Sequence, residues 1–191
     1  RGAFYRVGPD AQYPLAPGNI PFDGEGHVSQ FAFNNGRVDF QSRFVHNERY
    51  VEQDKAGRIL FPMYRNPYVN DPLVKGKSRG THNTHIINHN GMLLALKEDS
   101  PPAALDLHTL EIIDPVYRFG GQLQSETFTA HPKIDSRTGI SSIEDDHRFR
   151  RVGARAAHLA MFVTQVLVEE EDLHLLGALR KNLELDLGEA A

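Results

Sequence analysis

The sequence predicts an all-β domain followed by a short helical tail. Three observations carry that expectation. Asn-Gly turns separate alternating apolar and polar runs, no stretch before about Gly139 repeats every 3.6 residues, and after Gly139 leucines recur at helical spacing.

Taken in order, Ala3-Phe4-Tyr5-Arg6-Val7 reads as a strand that begins almost at the first residue, Arg1. The chain opens without a methionine, so it reads as a fragment whose true start is missing. Tyr13 to Pro21 is rich in proline and glycine and reads as a long loop. Val28 to Phe33, then Asn34-Asn35-Gly36, then Arg37 to Val45 reads as a hairpin, because Asn and Gly both tolerate positive φ. The same grammar returns at Lys55-Ala56-Gly57 and at Asn90-Gly91, where Ile86-Ile87 leads in and Met92 to Leu96 leads out as a buried strand. Asn66 to Gly80 is a second long loop. Asp106-Leu107-His108-Thr109 turns the chain into Leu110 to Ile113. Such tandem antiparallel meanders suit a propeller or a sandwich, and no repeat is clear enough to choose between them. Beyond Gly139, Leu173, Leu176, Leu179 and Leu183 follow a charged run, which predicts helix over 156–183. The expected domains are therefore 1–139 and a tail, 140–191.

A chain of 191 residues buries about 70% of its unfolded surface, so no crosslink is needed merely to fold. Net charge is −4 and no basic run exceeds Arg150-Arg151, which speaks against nucleic acid as a partner. Cysteine is absent, so any metal must be held by histidine or carboxylate, and ten histidines make that worth pursuing. No apolar stretch approaches membrane-spanning length and no leader-like segment opens the chain, so the expected location is the cytoplasm.

Three constellations carry chemistry. In Phe128-Thr129-Ala130-His131-Pro132-Lys133-Ile134-Asp135, a proline fixes an extended residue before it and ends the strand, placing His131 at a strand end as a metal ligand would be. On spacing alone, the same histidine reads rather as a structural residue at a turn. His82, His85 and His89 do not converge on a strand, since His82 points away from the other two, and they read as surface or loop residues. Leu93 to Leu96 is an apolar strand ending in Lys97, Glu98 and Asp99, which taken alone is a solvated strand end.

Taken together these segments resemble one family. Phe22-Asp23-Gly24-Glu25-Gly26-His27-Val28, Arg43-Phe44-Val45 with Glu48, Glu52 with Gly57-Arg58, Asn83-Thr84-His85, Leu93 to Glu98 and Ala130 to Asp135 occur in the order seen in carotenoid cleavage oxygenases. The resemblance covers about residues 2 to 139. It implies part of a seven-bladed β-propeller, about two to three blades, whose axial Fe(2+) is held by four histidines. His131 matches the first of those ligands, and Glu98 matches an acid that orients one of the later ligand rings. The other three ligand motifs do not appear, and His147, His158 and His174 fit none of them.

Within the family the chain looks most like the lignostilbene dioxygenases, because Lys97 stands where carotenoid cleavers carry an aromatic or apolar residue. The resemblance pairs Lys97 with Tyr64 as the catalytic and substrate-binding residues, and places Phe22 against the substrate ring. A phenol ionises near pH 10, and a nearby ammonium favours the phenolate, which pushes electrons onto the alkene. The implied reaction is O₂-dependent scission of a 4-hydroxystilbene to two aldehydes, with this chain alone inactive for want of ligands. The alternatives are an apocarotenoid substrate, or a non-catalytic β-rich binding fragment. The residues do not indicate an oligomeric state.

Overall fold

A computed structural model describes residues 1–15, 17–63, 66–134, 141–142 and 165–168. Strands β1 (Gly2–Asp10), β2 (Glu25–Asn34) and β3 (Arg37–Phe44) form an antiparallel meander. A second meander contains β4 (His85–His89), β5 (Met92–Leu96), β6 (Ala103–Asp106) and β7 (Ile112–Asp114). β8 (Lys133–Ile134) pairs with β9 (Ser141–Ser142). The hairpins turn where the sequence expects: Asn35 and Gly36 take φ of 49° and 77°, and Asn90 and Gly91 take 49° and 76°. Two successive positive φ values are the type I′ pattern, whose twist matches the strands it joins.

Strand alternation sorts the core. Tyr5, Val7 and Val28 project from the first sheet and meet Ile86, Leu93, Ala95, Ala103 and Leu105 from the second. The opposite face of the second sheet buries Ile87, Leu94, Leu96 and Ala104 under Phe128, with Tyr117, Phe119 and Leu123 packed beside it. A sheet buried on both faces carries a continuous apolar run, as Leu93 to Leu96 does. Each fully buried leucine there contributes roughly 1.5–3 kcal/mol. The sheets are also tied by polar groups: the Tyr5 hydroxyl donates to the Leu107 carbonyl at 2.9 Å and accepts from Gln30 at 2.8 Å. The other face of the first sheet carries an aromatic ladder, Phe4, Phe31 and Phe40, with ring centroids 5.9 and 4.9 Å apart; Phe40 is 60% exposed.

Two expectations need correction. Gly57 does not close a hairpin. It is the left-handed C-cap, at φ 64°, of helix α1 (Glu48–Ala56), whose N-cap Asn47 accepts from the Tyr50 amide at 2.8 Å. The helix escapes a search for apolar periodicity because its buried residues are Arg49 and Gln53, one turn apart and both polar. The second concerns the tail. Within the segment expected to be helical, Gln165–Val168 forms strand β10 and pairs antiparallel with β1, Gly2 opposite Val168. β1 otherwise presents an unpaired edge of backbone donors and acceptors, and alternate β-branched residues, Val166 and Val168, suit the extended conformation that satisfies it. The remainder of 156–183 lies outside the described residues.

Candidate functional site

The site gathers around the start of β4 and the end of β5. A 3₁₀ turn, Pro21–Asp23, holds Phe22; it begins on a proline, and Asp23 Oδ2 accepts from the Ile20 amide at 2.7 Å. The chain behind it passes extremely close to a neighbour. A Cβ on Gly26 would lie 2.3 Å from the His82 carbonyl oxygen, while the Gly26 amide donates to the Thr81 carbonyl at 2.7 Å. Only glycine permits that approach, which brings the Phe22 segment against residues 81–84. Asn83 secures it, donating from Nδ2 to the carbonyls of Phe22, at 3.1 Å, and Gly24, at 2.7 Å.

Lys97 directly follows β5 and is 3% exposed. Its Nζ donates to Thr84 Oγ1 at 3.1 Å, lies 3.7 Å from Glu98 Oε2, and sits 5.8 Å from the centre of the Phe22 ring. A buried ammonium needs such partners, because desolvating it alone is costly. Glu98 is shared: its other oxygen, Oε1, is 3.9 Å from His131 Nε2, an ion-pair separation longer than a hydrogen bond. The His131 ring also lies 6.0 Å, centre to centre, from that of buried His85. The structure therefore brings Phe22, Lys97, Glu98 and His131 into one neighbourhood. Tyr64 lies outside the described residues.

Of the three histidines expected at the surface or in loops, His82 lies in a loop but is buried, and His85 is buried on a strand. His82 is 2% exposed, at φ 52°, and its ring is fully engaged: Nδ1 meets Asn47 Nδ2 at 2.7 Å and Nε2 meets the Pro101 carbonyl at 2.9 Å. That pattern requires a neutral ring with the proton on Nε2, and burial pushes its pKa below the usual histidine value. His85 is buried as well, because β4 lies inside the fold; only His89 is partly exposed. Sequence reasoning also gave no role to Asn83 and Thr84, although the Asn-Thr-His motif contains them. It missed a second buried polar cluster too, in which Arg49 donates to Glu25 Oε1 at 2.7 Å and Gln53 donates to the same oxygen at 2.8 Å. A buried carboxylate in the Phe-Asp-Gly-Glu-Gly run was the available signal.

The chain matches the family described as retinal pigment epithelial membrane protein over residues 1–144. It belongs to the carotenoid cleavage oxygenase family. It is 46% identical over 139 residues to resveratrol cleavage oxygenase 1 of Chaetomium globosum, a match covering 72% of this chain and 23% of that protein. It is 45% identical over 139 residues to lignostilbene-alpha,beta-dioxygenase isozyme III of Sphingomonas paucimobilis, covering 72% and 28% respectively. The crystal structure of Pseudomonas brassicacearum lignostilbene dioxygenase superposes with a TM-score of 0.69 at 50% identity, covering 72% of this chain and 28% of that one. The chain thus spans about a quarter of the length of these curated relatives. Its solved relatives are β-propellers, and the two meanders described here form part of that architecture.

The family depends on non-haem iron, so the donor set can be tested against that ion. Among the described residues no group of three or more histidines, cysteines or carboxylates is arranged to hold a metal. His131, with Glu98 and His85 nearby, falls short of four convergent imidazoles. The described residues do not by themselves fit the iron. No helix among them is long and apolar enough to cross a membrane.

Proposed function

We propose that this chain forms the phenol-recognising part of a lignostilbene-type dioxygenase, an enzyme that cleaves the central C=C bond of a 4-hydroxystilbene with O₂ to give two aldehydes. The observation that carries the reading is the buried Lys97 ammonium beside the face of Phe22. A cation kept from water next to an aromatic ring suits a ligand that is aromatic and bears an ionisable oxygen. The ring packs on Phe22, and the ammonium donates to the phenolic oxygen and favours its ionised form. Tyr64 is proposed as a second partner of that oxygen. An apocarotenoid's aldehyde or alcohol oxygen can accept a hydrogen bond from the ammonium, but it has no phenolic proton, of pKa about 10, for a cation to draw off. His131 is proposed as one iron-holding imidazole, its ring facing Glu98, with the remaining ligands supplied from outside the described residues; the iron supplies oxygen activation when bound. Resveratrol and lignostilbenes, after which relatives of this chain are named, are hydroxystilbenes.

The test compares 4-hydroxystilbene with its 4-methoxy ether, in binding to this chain and in aldehyde production by the enzyme completed with a relative's remaining blades. Losing a charged hydrogen bond costs about 1.5–3 kcal/mol, so Lys97→Met is expected to weaken 4-hydroxystilbene roughly tenfold or more, and the methyl ether, a weak acceptor that cannot ionise, far less. Phe22→Leu should weaken both ligands alike. Equal losses on both ligands for Lys97→Met would overturn the reading.

A further inference from the structure

Lys97 follows β5 of the second sheet and Phe22 lies in the turn before β2 of the first, yet one line of side-chain hydrogen bonds runs from the ammonium to the Phe22 backbone carbonyl. Lys97 Nζ donates to Thr84 Oγ1 at 3.1 Å, and the Thr84 hydroxyl donates to Asn83 Oδ1 at 3.2 Å. Asn83 Nδ2 then donates to the Phe22 carbonyl at 3.1 Å and to the Gly24 carbonyl at 2.7 Å. Every link has a fixed direction. An ammonium has only donors, so the threonine oxygen must accept from it and send its single proton onward. Asn83 must then present its oxygen to Thr84 and its amide hydrogens to the Phe22 segment. The chain of donors cannot be reversed, and each link polarises the next.

We infer that Asn83 and Thr84 are positioning residues that set the separation between the Lys97 ammonium and the Phe22 ring, and thereby select a ring carrying an oxygen substituent at a matching reach. The 5.8 Å between Nζ and the ring centre is held through this line, because Lys97 has a long flexible stem and Phe22 sits in a short turn. Threonine is suited to the middle position. Its β-branched side chain has few rotamers, and its amide is already pinned to the Leu96 carbonyl at 3.2 Å. Lys97 is thus tethered to the residue just before β4, one step beyond the His85–Leu96 pair that ends the ladder. Serine preserves the hydrogen-bond line, whereas valine keeps the shape and breaks it. The selectivity in this inference rests on the phenol reading given above; the tether itself does not.

The experiment uses the 191-residue chain as Thr84→Ser and Thr84→Val beside the parent, each checked by circular dichroism for folding. Acylation of Lys97 by an amine-reactive reagent, followed by mass spectrometry, reports whether the ammonium is held. Release from a charged hydrogen bond should speed labelling at Lys97 roughly tenfold in Thr84→Val, with Thr84→Ser near the parent rate. If valine prevents folding, Thr84→Ala, which removes the hydroxyl without adding bulk, gives the same comparison. Binding of 4-hydroxystilbene against its methyl ether is measured in parallel, and the preference should fall in Thr84→Val and return in Thr84→Ser. Parent-rate labelling of Lys97 in the folded variant lacking the hydroxyl overturns the inference. If labelling rises but the parent chain shows no preference for the phenol, the tether stands, and the substrate reading with its selectivity falls.

Discussion

Replacing Arg49 with methionine removes the cation from a buried cluster while keeping an unbranched side chain of similar reach. In the structure Arg49 donates to Glu25 Oε1 at 2.7 Å, to the Asp23 carbonyl at 2.8 Å and to the Phe61 carbonyl at 3.3 Å. After substitution Glu25 keeps Gln53 at 2.8 Å on the same oxygen. Among the described residues its Oε2 finds no hydrogen-bond partner even in the parent. Breaking a buried pair from one side costs about 3–5 kcal/mol, most of it from the charge left behind. That is a large part of the roughly 5–15 kcal/mol that stabilises a domain. Burial already raises the Glu25 pKa above its ordinary value, with Arg49 pulling it back down, so the variant raises it further. A carboxyl whose folded pKa is raised contributes stability below its unfolded pKa and loses it as pH rises through the folded value. The deficit of Arg49→Met should therefore grow from acid toward neutral pH, and Glu25→Gln added to it should recover part of the loss. The chain has no tryptophan, so urea unfolding is followed by circular dichroism. A deficit that is constant with pH, and unaffected by Glu25→Gln, would refute the claim that an orphaned carboxylate is its source.

Three further outcomes follow from the same structure. Gly26→Ala should cost about 3 kcal/mol, the upper end of overpacking penalties, because its Cβ meets the His82 carbonyl oxygen at 2.3 Å; urea midpoints decide this, and a neutral result would mean the strand can shift freely. His82 is held neutral with a lowered pKa, so stability is fully present above the ordinary histidine value of 6.5 and falls as pH drops below it toward the folded value. His82→Gln should shrink that acid limb, and His46→Gln should remove a further part because burial lowers the His46 pKa too; a limb unchanged by His82→Gln sinks the assignment. Anaerobic loading with Fe(II) followed by desalting should leave this chain well short of stoichiometric iron, and full retention would mean that residues outside those described complete the site.

What could be read from the sequence followed from local chemistry. Asn35-Gly36 and Asn90-Gly91 marked their hairpins because few other residue pairs accept two positive φ values. Leu93 to Leu96 announced a strand buried on both faces. Helix α1 was hidden because Arg49 and Gln53 occupy its buried face, where a periodicity search expects apolar residues. β10 was hidden because its partner, β1, lies at the far end of the chain. The burial of His82 was not legible either, since its partners, Asn47 and Pro101, come from distant segments. The nearness of Phe22, Lys97 and His131 entered only through the order of family motifs, because no local pattern reports contacts between sheets.

The tether from Asn83 to the Phe22 segment also bears on when and how firmly the site exists. Phe22 precedes β2 in the first meander, whereas Lys97 follows β5 in the second, so neither meander alone contains both Phe22 and Lys97. Their juxtaposition exists only when the sheets dock, through contacts distant in sequence whose loop-closure entropy has to be met first. Ligand binding and sheet docking are then two sides of one equilibrium. If the proposed phenol binds only the docked form, it adds its binding free energy to the interface, and a loosened interface weakens it by mass action. Tyr5→Phe, which deletes the hydroxyl bonded to Leu107 on the second sheet, touches no ligand, yet it draws on the same reserve.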